Sequence, residues 1–137
     1  KLHDRRATII AELYAKLIEA YYSAGEFLNP IGYEGQPSKE KLGEKTVKQI
    51  REMDHYFNLN RLYFDEVLCL KIGEVIKGIF DPTIKFILAL QEEKETGGEH
   101  RATKEWINSL KSYQEKVPEI KKLIEDEFRK ILGVKGS

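Results

Sequence analysis

Cysteine is nearly absent: Cys69 is the only one in 137 residues. A disulfide framework within the chain is therefore excluded, which fits a reducing compartment. Long apolar runs are missing as well. None approaches the roughly 18 consecutive apolar residues of a membrane helix, and no signal-peptide pattern is visible. Charge of one sign is not in excess, because 23 basic residues balance 23 acidic ones. Phosphate contacts need surplus Lys and Arg, so nucleic acid is not an expected partner. The one local surplus, from Lys39 to Arg51, holds five basic and two acidic residues, and it is read as a solvated helix face. Proline is scarce, and so are the strand formers Val and Thr.

What is present is helix composition. Glu, Lys, Ile and Leu dominate, with 41% hydrophobic and 34% charged residues, a balance that is too apolar for disorder. The length suits one domain, taken as 1–137, with one core. The chain opens on Lys1-Leu2 rather than methionine, so it is read as a fragment of a longer protein.

Periodicity divides the chain into four helices. Ile10, Leu13, Tyr14, Leu17, Tyr21, Ala24 and Leu28 recur at spacings of three and four, which predicts a first helix over about 4–29. Ile9 and Ile18 lie off that stripe and either widen the core or serve self-association. Asn29-Pro30 ends the helix, because proline disfavours a helical conformation in the residue before it. Gly32 and Gly35 mark a loop and match no phosphate-binding pattern. Ser38 is the expected N-cap of a second helix, with the stripe Leu42, Thr46, Ile50, Met53, Phe57 and a break at Asn58-Leu59-Asn60. Asp65 is the expected cap of the third. Its stripe (Leu68, Ile72, Val75, Ile76, Ile79) stays in phase through Thr83, Phe86, Ile87 and Leu90, so one long helix kinked at Pro82 is expected, ending near Lys94. A fourth helix over about 99–132 follows Thr96-Gly97-Gly98. Its stripe runs from Trp106 to Ile131 in phase across Pro118, and Gly133 is the C-terminal cap. Proline in a helix interior costs about 3 kcal/mol, which long packed flanks must offset. The expected fold is an all-α, antiparallel up-down four-helix bundle with long, proline-kinked third and fourth helices.

Residues with chemical potential are few. Glu52 and His55 form one Glu-x-x-His pair on a shared helix face. A di-iron bundle site needs a second such pair, and neither His3 nor His100 follows a glutamate by three residues. Arg51 and His55 share a face at i, i+4. Ribonucleases of the HEPN type separate their arginine and histidine by four to six residues; here three intervene. Cys69 stands at a helix start, where a thiol can be activated, but its neighbours Leu68, Leu70 and Ile72 make it a small core residue. No cofactor or metal ligand set is expected. The aromatic clusters Tyr21-Tyr22, Tyr56-Phe57 and Tyr63-Phe64 fall near helix ends. Leu59, Leu62, Tyr63 and Phe64 make the second connection unusually apolar: it is either a lid over the bundle's end or a partner surface, where Tyr and Phe are favoured.

Three segments carry a resemblance: Arg5-Arg6 with Glu12 to Leu17, Asn60 to Phe64 before an acidic cap, and Glu127 to Gly133. Together the chain resembles a group of uncharacterised bacterial all-helical proteins. The resemblance implies a helical domain after a coiled coil, sometimes membrane-tethered, with no assigned activity and no catalytic residues. The resulting expectation is a non-enzymatic interaction or oligomerisation domain, cytoplasmic or on the cytoplasmic face of a membrane through an upstream tether. A protein partner or self-association would use Leu59, Leu62, Tyr63 and Phe64. The alternative is a ribonuclease or metal-dependent enzyme centred on Arg51, Glu52 and His55.

Overall fold

A computed structural model describes residues 2–29, 32–97 and 100–134. Four helices fill them: α1 Leu2–Leu28, α2 Lys39–Leu59, α3 Glu66–Thr96 and α4 His100–Leu132. A short 3-10 turn, Arg61–Tyr63, links α2 to α3. Pro30, Gly98 and Glu99, which the sequence reading uses as boundary signals, lie outside the described residues, as do the side chains of His3 and His100.

The caps fall where residue chemistry puts them. The Ser38 hydroxyl accepts the Lys41 amide at the start of α2, and the Asp65 carboxylate accepts the Leu68 amide at the start of α3. Gly97 and Gly133 close α3 and α4 with φ of +72° and +75°, a conformation an L side chain resists. Both interior prolines are traversed without a break. One turn before Pro82, Gly78 lets α4 approach closely: a Cβ there would stand 3.2 Å from Val117 Cγ2. The turns beside the two prolines thus lie against one another, and the long packing of α3 on α4 offsets the cost of the hydrogen bonds the prolines lack.

Neighbouring helices run antiparallel. Along α1 and α2, Ser23 donates to Gln49 and Glu12 accepts from Tyr56. Along α1 and α4, Leu28 meets Trp106, Tyr21 meets Tyr113 and Tyr14 meets Glu125. The all-α four-helix bundle expected from periodicity is the fold observed.

The core differs from the simple stripes in detail. Ile9 is buried and widens the α1 face, whereas Tyr14 and Tyr21 sit half-buried at the α1–α4 seam. Ile87 and Leu90, in phase with the α3 stripe, are only partly covered. At the end where α2 passes into α3 the packing is tight: the void among Leu13, Met53, Ile72, Val75 and Phe128 holds only about 10 Å³. Cys69 is buried there, with its thiol toward the Arg61 and Phe64 carbonyls.

Candidate functional site: an apolar bundle end and an interhelical groove

Two places on the surface stand out, both bordered by α2. The first is the connection from α2 to α3. Leu62 is 100% exposed, Leu59 69%, Leu70 66% and Val67 62%. Four large aliphatic side chains within twelve residues therefore face solvent at one end of the bundle. Leu59 ends α2, Leu62 lies in the 3-10 turn, and Val67 and Leu70 sit on the outer face of the first α3 turns; within the turn the tight pitch sends successive residues to different sides. Tyr63 falls half-inward against the core, and Phe64 goes fully inward. Phe64 lies between the Phe57 and Phe128 rings, with centroids 6.5 and 6.0 Å away.

Of the four residues expected to form a partner surface, Leu59 and Leu62 are on the surface, Tyr63 is divided, and Phe64 is corrected to the core. Phe64 is inside because the extended backbone after the turn aims it between α2 and α4. Val67 and Leu70 extend the exposed set and were not anticipated. Their signal was available: both fall off the buried α3 positions Leu68, Ile72 and Val75. Charges of both signs border the patch, with Arg61, Asp65 and Glu66 all exposed. The Arg61 guanidinium stands 5.2 Å from the Phe57 ring centroid and donates to Asn58.

The second place is a groove of about 1100 Å³ between α2 and the second half of α3. Phe27, Val47, Ile84, Ile87 and Leu90 line its apolar part. Gly43 brings the helices together at its floor, where a Cβ would meet Ile87 Cγ1 and the Phe27 ring at 3.1 Å. Arg51, Glu52 and His55, the residues singled out for possible chemistry, are brought to this groove on exposed positions of α2. None of their side chains is hydrogen-bonded or ion-paired within the described residues, and no group of three metal-capable side chains occurs there.

Lys39 anchors one end of the groove. Its ammonium donates to the carbonyl oxygens of Phe27 and Asn29 at 2.7 Å and of Glu26 at 3.4 Å. They lie at the C-terminal end of α1, where carbonyls lack intrahelical partners and a cation also meets the negative end of the helix dipole. Burial pulls the Lys39 pKa below the ordinary lysine value, and Glu26 partly restores it. Across the groove, Lys94 faces Glu40 at 4.0 Å; both are exposed, so this pair adds little stability.

The opposite seam, α1 against α4, carries part-buried polar links instead of an opening. Trp106 Nε1 donates to the Leu28 carbonyl at 2.6 Å, and the Tyr113 hydroxyl donates to the Tyr21 carbonyl at 2.5 Å. Tyr14 donates to Glu125, which also accepts from Lys121 at 2.9 Å. Burial and the Glu125 carboxylate push the Tyr14 phenol up to about 12. Burial opposes the Glu125 charge, but hydrogen bonds from Tyr14 and Lys121 outweigh it and lower that carboxyl.

No protein-family model matches the chain, and neither does any curated protein or solved structure. Among the described residues no helix is long and apolar enough to cross a membrane.

Proposed function

We propose that this chain is a non-enzymatic helical interaction domain that associates with a second copy of itself through the α2–α3 end. The observation that carries the reading is the exposure of Leu59, Leu62, Val67 and Leu70 where α2 passes into α3. Apolar surface removed from water is worth about 25 cal/mol per Å², and large aliphatic side chains exposed close together in sequence favour a contact site. A second copy is favoured because a two-fold contact sets each surface against itself. Arg61 and the Asp65–Glu66 pair flank the same leucines, so in such a contact the guanidinium of one copy meets carboxylates of the other. The balanced net charge is compatible with this. A place after a coiled coil, in the cytoplasm or on the cytoplasmic face of a membrane, belongs to the same proposal and accords with the lone cysteine.

Light scattering over a concentration series tests it. The expected result is a mass rising from monomer toward dimer, and a Leu62→Asp variant that stays monomeric with an unchanged helical circular dichroism spectrum. A mass equal to the monomer at every concentration would overturn it.

The alternative, a ribonuclease or metal-dependent enzyme, rests on Arg51, Glu52 and His55 lining the large groove together. An RNA-cleavage assay with elemental analysis decides it: cleavage that disappears in His55→Ala would support it, and no activity with no bound metal would end it.

A further inference from the structure

The α2–α3 groove lies apart from the self-association surface, and its charges are arranged rather than scattered. Lys39 is spent on the end of α1, and Glu40 and Lys94 face one another. Once these are set aside, Glu44 and Glu95 remain toward the N-terminal end of α2, and Lys48 and Arg51 lie further along the same helix. Glu52 stands beside Arg51 and leaves that stretch with one net positive charge. Glu44, Lys48, Arg51 and Glu95 are all exposed, and none has a hydrogen bond or ion pair from its side chain within the described residues. Between the rims lies the apolar strip of Val47, Ile84, Ile87 and Leu90. The α2 wall from Lys39 to His55 is roughly 24 Å long at about 1.5 Å per residue, the length of about four helical turns.

We infer that this groove receives an amphipathic helix of a protein partner, with a fixed direction. An apolar stripe on the incoming helix would cover the aliphatic strip, as in other helix-in-groove contacts. Its basic residues would face Glu44 and Glu95, and its acidic residues would face Lys48 and Arg51. A helix is most stable with acids at its N-terminus and bases at its C-terminus. The partner helix therefore runs antiparallel to α2 and parallel to α3, its acidic first turns near Arg51 and its basic last turns near Glu44.

Two fluorescently labelled 18-residue peptides test this, both with leucine at the a and d positions. One carries glutamates in its first half and lysines in its second; the other reverses the halves. Fluorescence anisotropy is expected to show the glutamate-first peptide binding about tenfold more tightly at low salt, with the difference largely gone at about 0.5 M salt. The quadruple variant Glu44→Lys, Glu95→Lys, Lys48→Glu, Arg51→Glu should invert the preference, with circular dichroism confirming an intact fold. Equal binding of both peptides, abolished by Ile87→Glu, would overturn the direction while leaving the groove a helix site. Binding of neither peptide would overturn the inference, and saturable binding of oleate in their place would make the occupant an acyl chain. A sedimentation change caused by Ile87→Glu in the chain alone would make the occupant a second copy. None of these outcomes depends on Leu62, so the inference and the self-association proposal can fail separately.

Discussion

The α1–α4 seam and the α2–α3 seam are built from the same kind of helix and end up in opposite states. Along α1–α4, aromatic side chains reach across and hydrogen-bond to backbone carbonyls: Trp106 to Leu28 and Tyr113 to Tyr21. A large ring fills the gap between helices and its polar atom satisfies an acceptor, so the seam is closed. Along the α2–α3 groove, Ile84, Ile87 and Leu90 make the middle of the α3 wall aliphatic, whereas the α2 wall is long and charged apart from Val47 and His55. Lysine, arginine and glutamate keep their charged ends in water and do not seal a crevice. The difference teaches that an open groove in this bundle follows from side-chain chemistry at one seam and needs no change in helix length.

The largest expected break of that contrast is Trp106→Ala. Losing the ring and leaving the Leu28 carbonyl without its partner is expected to cost about 3 kcal/mol in urea unfolding. Next comes alkaline pH, which acts on the closed seam and its neighbours. Burial, with carboxylate hydrogen bonds, raises the Tyr14 and Tyr56 phenols to about 12, from an ordinary value near 10, and burial raises Tyr113 further. The folded state then holds protons that the unfolded chain releases, so stability is intact below pH 10 and falls as pH rises toward 12. Circular dichroism melts across that window should show it, and Tyr14→Phe should reduce the slope.

Glycine substitutions compare a crowded site with an open one. Gly43→Ala presses a methyl group on the buried Phe27 ring and is expected to destabilise by about 1 kcal/mol. Gly73→Ala on α3 meets nothing within 4 Å and is expected to stabilise by roughly 0.5–1 kcal/mol. Paired urea titrations decide the two signs. The smallest change is Val47→Thr in the groove, expected to move stability by about 0.5 kcal/mol or less, because the site is already half-wet. A cost as large as that of Trp106→Ala would mean that the groove is closed in solution.

Much of the bundle was legible in the residues. Ser38 and Asp65 announce helix starts because a short oxygen-bearing side chain can accept an orphan amide. The phase of the α3 and α4 stripes carries through Pro82 and Pro118, and the helices run through both. Ile87 and Leu90 share the phase of buried neighbours yet line the groove, because periodicity reports which side of a helix faces inward and not how near the next helix comes. The inward turn of Phe64 had no local signal, since it depends on the extended backbone after Tyr63 and on Phe128 arriving from the far end of the chain.

The sequence by itself determined four helices, the caps Ser38, Asp65 and Gly133, the antiparallel order and a core-bound Cys69, because capping and periodicity act within a few turns of chain. Only the tertiary structure decided that Lys39 and Trp106 finish the end of α1, that Leu62 faces solvent while Phe64 does not, and that Glu44, Arg51 and Ile84 border one groove. Those outcomes depend on distances between helices, which are fixed when side chains far apart in sequence compete to fill the same space.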